Sequence, residues 1–149
     1  MKLIKIAAVA GAAKLVAATA NAQGVDFSKV EITTVDLGNK TYMLVGQGGN
    51  ITVAVGTDGI IMVDSQYAPL YDKIKAAIAK ISPLPIKYVI STHYHRDHVE
   101  GNELFNKAGA TIVGHDNLRI RLAAGTTNLF SGNKTPPAPA GAIPPRRTR

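Results

Sequence analysis

The sequence predicts an α/β protein of the α+β kind, one mixed sheet with helices packed on one face. Three observations predict it. Between Val30 and Val63, short β-prone runs alternate with turn residues at close intervals, the pattern of an antiparallel meander. From Leu70 to Ile81 the apolar residues recur with the period of a helix. Beyond Ile81, strand-like and helix-like segments alternate. The order is ββββαβαβα in a chain of 149 residues, enough for one domain with a core of its own.

Residues 1–22 stand apart from this pattern. Lys2 and Lys5 precede a short apolar run, Ile6 to Ala13, and Ala20-Asn21-Ala22 forms an A-x-A cleavage site before Gln23. The arrangement predicts a secretory signal peptide and a periplasmic or secreted product. Lys14 interrupts the apolar region, which leaves a short membrane anchor or a cytosolic amphipathic start as alternatives. The run is too short to cross a bilayer, so no stable membrane span is expected.

The elements follow in order. Val30 to Leu37 predicts the first strand, Gly38-Asn39-Lys40 a turn, and Thr41 to Val45 the returning strand. Gln47-Gly48-Gly49-Asn50 is a second turn before the strand Ile51 to Val55. Thr57-Asp58-Gly59 then closes a hairpin into Ile60 to Val63. Leu70, Ile74, Ala77, Ile78 and Ile81 fall on one helical face; Pro69 suits its first turn and Ser82-Pro83-Leu84-Pro85 ends it. Ile86 to Ile90 predicts a buried strand, Asn102 to Ala108 a short helix, and Thr111 to Val113 another strand. Asp116 to Ala124 predicts a helix with Asp116 near its start and Gly125 past its end. Thr126 to Arg149 is rich in Gly, Pro, Ser, Thr and Asn without a periodic apolar face, and predicts a mobile tail. The chain thus divides into a signal peptide (1–22), a folded domain (23–125) and a tail (126–149).

The net charge of +7 suggests nucleic acid at first sight, but six of the 17 basic residues lie at the ends: Lys2, Lys5, Lys14, Arg146, Arg147 and Arg149. The body between carries 11 basic against 10 acidic residues, with no basic stripe or aromatic platform. Nucleic acid is therefore not an expected partner. The absence of cysteine excludes disulfides and thiolate metal ligands, and decides nothing about compartment.

The chemistry concentrates in Ser91-Thr92-His93-Tyr94-His95-Arg96-Asp97-His98, which holds three of the four histidines. On an extended segment His93, His95 and Asp97 would point to one side. His98 breaks the alternation, so the chain must turn for it to join them, and Gly101-Asn102 suits such a turn. Three imidazoles and a carboxylate form a nitrogen/oxygen ligand set that suits zinc, with iron or manganese as alternatives. The fourth, His115, reads as a surface or helix-capping residue.

Thr92-His93-Tyr94-His95-Arg96-Asp97-His98 resembles the signature of the metallo-β-lactamase-fold hydrolases, in its glyoxalase II-like form. Ile60-Ile61-Met62-Val63-Asp64-Ser65 is similar to the family's earlier strand that ends in an aspartate. Ala110-Thr111-Ile112-Val113-Gly114-His115 is similar to the strand after the metal loop. The similarity runs from about Val30 to Gly125. Arg96 departs from it, standing where a small residue is common.

The resemblance implies the N-terminal half of an αββα sandwich and a site for two metals. His93 and His95 would serve the first metal, and Asp97 and His98 the second. Asp97 would also orient the nucleophile, a catalytic role. Asp64 would support the metal loop from outside the ligand set; its alternative is a strand-end carboxylate capping Ser65 or a neighbouring amide. Hydroxide generated at the metals would attack a thioester or ester, or alternatively a β-lactam, as small-molecule substrate. The family completes both metals with residues of its second half, and this sequence has no His after His115 and no Asp after Asp116. An incomplete chain is expected on that ground, with one sheet face uncovered. A third reading is an inactive metal-binding or partner-binding half-domain, including one that forms a homodimer.

Overall fold

A computed structural model describes residues 24–127 and 132–146; the expected signal peptide over 1–22 lies outside them. Six strands form one sheet in sequence order: β1 (Thr33–Asp36), β2 (Thr41–Val45), β3 (Ile51–Val55), β4 (Ile60–Val63), β5 (Ile86–Ser91) and β6 (Thr111–Gly114). The first four pair antiparallel through tight turns, while β4, β5 and β6 pair parallel. The parallel pairs need crossovers, and helix α1 (Tyr71–Ile81) supplies the first. The four-residue α2 (Arg96–Val99) and then α3 (Asn102–Lys107) supply the second. Helix α4 (Asp116–Ala124) follows β6. The expected mixed sheet and element order are both present. The first strand is shorter than its sequence suggests because β2 offers partners only from Val45 to Tyr42.

Alternation sorts the strand residues into two faces. Val53, Met62, Val89 and Ile112 stand side by side across four strands and are fully or almost fully buried beneath α1 and α3. Ile74 and Ile78 of α1 and Phe105 of α3 fill this layer, with Tyr71 edge-on to Phe105. At roughly 25 cal/mol per Å² of apolar surface removed from water, this layer is the main source of stability.

The opposite face carries Val35, Met43, Thr52, Val63, Ile90 and Val113 in one row, with Ile61 and Tyr88 in the next. Val35, Ile61, Tyr88, Ile90 and Val113 are exposed. Strand β5 is therefore not the buried strand that its composition predicts: only Val89 and Ser91 are buried. Helices cover a single side of the sheet, so half of each apolar strand faces outward.

The N-terminal segment is tied down by Lys73 of α1, whose ammonium donates to the carbonyls of Phe27, Ser28 and Val30 at 3.1, 2.7 and 2.6 Å. At the other end, the described part of the tail carries short elements of its own. Thr126–Thr127 and Lys134–Thr135 form a two-stranded ribbon, and Ala138 N–H donates to Leu122 O at 2.8 Å. Ala138 and Ile143 pack on Val99, Leu118 and Leu122, giving that small cluster its cover. Among the described residues no helix is long and apolar enough to cross a membrane.

Candidate metal centre

The centre is built where β4 and β5 end side by side. Val63 pairs with Ile90, and Asp64 N–H donates to Ile90 O at 2.9 Å. Asp64 then takes a left-handed backbone, φ 62°, and Gln66 another, φ 52°. Such conformations cost non-glycine residues on the order of 1–3 kcal/mol each and persist only where the surroundings enforce them. Here they turn the Asp64 carboxylate back onto the start of the loop after β5. Its Oδ1 accepts from Thr92 N–H at 2.8 Å, and its Oδ2 from Thr92 Oγ1 at 2.8 Å. The same Oδ2 lies 2.8 Å from His98 Nδ1.

This carboxylate, 4% exposed, sets tautomers. His98 donates its Nδ1–H to the Asp64 carboxylate, so the neutral ring has its lone pair on Nε2. The Thr92 hydroxyl donates its hydrogen bond to Asp64, so its oxygen accepts from His93 Nδ1–H at 3.0 Å, and His93 Nε2 likewise has the lone pair. Burial, together with the adjacent His98 and His95, holds the His93 imidazole below its ordinary pKa, favouring the neutral, ligand-competent form.

The four sequence-predicted ligands come together, but on a different backbone from the extended one expected. The chain leaves β5 at Ser91, and Asp97 and His98 lie on α2. The chain bends at His93 and Tyr94 and turns into α2 directly after His95, so the spacing that would place His93, His95 and Asp97 along one edge does not operate. Gly101 makes no left-handed turn; it lies in the helical region, where a Cβ would stand 2.5 Å from Ser65 O.

The donors form two pairs. His93 Nε2 lies 3.1 Å from His95 Nδ1, and His98 Nε2 lies 3.4 Å from Asp97 Oδ2. Two donors each 2.0–2.1 Å from a tetrahedral zinc stand about 3.3–3.4 Å apart; the His98–Asp97 pair has that separation, and the His93–His95 pair lies a little inside it. The pairs adjoin, with the His93 and His98 rings 4.0 Å apart. Among the described residues no group of three or more His, Cys, Asp and Glu converges to hold a metal. Each pair could fill two of four positions. The donor chemistry fits zinc, and the count leaves room for further ligands.

Several residues of the centre carry no chemical signature in the sequence. The turn after β2 lies directly against it: a Cβ on Gly48 would meet Asp97 Cβ at 2.5 Å, and one on Gly49 would meet His98 Cε1 at 2.3 Å. Buried Gln66 holds this turn by donating from Nε2 to Gly49 O. Ser65 N–H donates to His98 O at 2.8 Å, and Ser65 Oγ to Asn102 Oδ1 at 2.7 Å. Thr92, beside His93 in the motif, was the one of these within reach of sequence reading. His115 caps α4 as expected, its Nδ1 accepting from Asn117 N–H at 3.1 Å, away from the donor pairs.

Solved structures similar to this chain include metallo-β-lactamases. BJP-1, a subclass B3 enzyme of Bradyrhizobium japonicum, matches at 22% identity with a TM-score of 0.65, over 83% of this chain and 48% of its own. MEM-A1, a subclass B3 enzyme from a soil metagenome library, matches at 18% identity with a TM-score of 0.64, over 76% and 45%. FIM-1 from Pseudomonas aeruginosa in its mono-zinc form matches at 18% and 0.56, over 62% and 45%. The chain thus spans less than half the length of each of these structures, and at such identities the likeness is one of fold. Comparison with curated proteins finds no match. The sequence profile of the metallo-beta-lactamase superfamily matches residues 44–138, more than half of the chain and all of the metal loop. This chain belongs to the metallo-beta-lactamase superfamily.

Proposed function

We propose that the chain carries the first half of the active site of a zinc-dependent hydrolase that cleaves a thioester or ester. The carrying observation is the pair of donor bites, 3.1 and 3.4 Å, beneath one carboxylate that fixes both ring tautomers. His93 and His95 would hold one ion, and Asp97 and His98 a second. Zinc bound there supplies Lewis acidity toward water and a substrate carbonyl. The chain's own contribution is orientation: Asp64 presents His98 Nε2 directly and His93 Nε2 through Thr92. Asp97, 29% exposed at its side chain, is open to a nucleophilic water that it would position. Hydrolysis of a β-lactam is the second enzyme reading, favoured by the B3 enzymes among the structural neighbours.

Zinc per chain, measured by elemental analysis on the purified protein and on His95→Ala, tests this reading. One or two zincs in the parent and fewer in the variant are expected, with turnover of a thioester, ester or β-lactam assigning the substrate. No zinc in either protein overturns it.

The reading from another class is a metal-binding half-domain that assembles with a second copy. The exposed row Val35, Ile90 and Val113, flanked by Ile61 and Tyr88, favours it, because a face of this kind gains from being covered. The expected result is a discrete dimer by size exclusion with light scattering, lost in Ile90→Lys. A monodisperse monomer refutes it.

A further inference from the structure

One feature that the candidate centre does not explain is a cleft of about 460 Å³ between the metal loop, α4 and the returning tail. Tyr94, Val99, Arg121, Lys134, Pro136 and Pro137 are among its lining residues. Its charges sort unequally. Glu100 is bound by Arg96, and Glu103 by Lys107 at 2.6 Å, so both carboxylates at the cleft are already neutralised. Among the described residues Arg121 and Lys134 form no ion pair. The Arg121 guanidinium instead lies over the Tyr94 ring, 4.9 Å from its centroid. The cleft therefore presents two uncompensated cations beside flat apolar walls.

We propose that this cleft binds a small organic anion: a carboxylate on a flat apolar body. Arg121 and Lys134 are its charge partners, and Tyr94, Pro136 and Pro137 are the walls. A guanidinium matches a carboxylate with two parallel hydrogen bonds, which a neutral amide cannot reproduce. Proline and tyrosine faces accept a flat ring without an ordering penalty of their own, since neither side chain has many rotamers to lose. The cleft is not the metal centre, yet one residue belongs to both surroundings. Tyr94 lies between the two histidines of the first pair, its ring 4.8 Å from that of His95. A ligand drawn to Arg121 is thus felt at His95 through Tyr94.

The test uses the metal-free full chain, so that its outcome does not depend on the hydrolase reading. Benzoate is titrated by calorimetry and by NMR, with benzamide as the neutral isostere and inorganic phosphate as the bare anion. Expected are saturable benzoate binding, at least about tenfold weaker benzamide binding, and shifts of the Tyr94 and His95 ring resonances. Arg121→Gln is expected to weaken benzoate by about tenfold, a change of about 1.4 kcal/mol, and Lys134→Gln by a smaller factor. Four results would overturn the proposal. They are no saturation at millimolar benzoate, equal affinity for benzamide, phosphate binding as tightly as benzoate, and unchanged affinity in both variants.

Discussion

Replacing Asp64 by asparagine is expected to lower zinc affinity by about ten- to a hundredfold while leaving the fold close to parental stability. The reasoning follows the hydrogen bonds. An asparagine Oδ1 can still accept from Thr92 N–H and from Thr92 Oγ1, so the loop start stays tied to β4. Its Nδ2, however, donates toward His98 Nδ1, which carboxylate Oδ2 now approaches at 2.8 Å. His98 must then accept at Nδ1 and carry its proton at Nε2, the nitrogen that faces Asp97. A protonated Nε2 is no ligand. Competition with a chromophoric chelator measures the affinity, and urea unfolding measures the fold. Parental zinc affinity in Asp64→Asn would show that the carboxylate does not set the tautomer. Asp64→Ala removes the acceptors as well, and is expected to lose stability as well as metal.

Gly48→Ala is expected to destabilise the protein by about 3 kcal/mol or more, a large part of a typical domain's 5–15 kcal/mol. Two causes add. Gly48 has φ +84°, a region that a Cβ disfavours, and the new methyl would stand 2.5 Å from Asp97 Cβ. Asp97 Cβ is not the far end of a flexible side chain, so relief requires α2 itself to shift. Gly38→Ala separates the causes: its φ is +82°, but nothing lies within 4 Å. It is expected to lose only about 1 kcal/mol, the contribution of backbone strain alone. Urea midpoints for the two variants make the comparison. Equal losses would mean that the turn does not press on the metal loop.

The parts of this molecule legible in its sequence are those in which side-chain period reports burial. The strands β2, β3 and β4 have the bounds that alternation and turns suggest, and α4 runs from Asp116 to Ala124 between a polar cap and Gly125. The cluster of four candidate donors is legible because histidine at such density has few other uses. Its geometry was not. A four-residue helix such as α2 is too short to show a period, so Asp97 reads as part of an extended segment and the turn is expected only at His98. The left-handed turns at Asp64 and Gln66 occur in residues whose type does not announce them. Nothing in Gln47-Gly48-Gly49-Asn50 names the loop, some 50 residues later, against which it packs. The exposure of β5 was hidden for a further reason: Ile86-Lys87-Tyr88-Val89-Ile90 is as apolar outward as inward, and composition cannot say which faces are covered.

The ties that shape the metal centre reach far along the chain. Asp64 to Thr92 spans 28 residues, Asp64 to His98 spans 34, and Ser65 to Asn102 spans 37. Each requires β4 and β5 to have zipped together in parallel, a non-local pairing that forms slowly because loop closure precedes its reward. The centre is thus expected to mature late as the chain folds, and an unfolded chain would offer zinc only unoriented side chains. Ion binding at these donors would therefore be coupled to completion of the sheet. Zinc at a hundredfold excess over its dissociation constant would add about 2.7 kcal/mol to the folded state. If zinc binds here, its supply during folding would govern how much of this protein survives proteolysis.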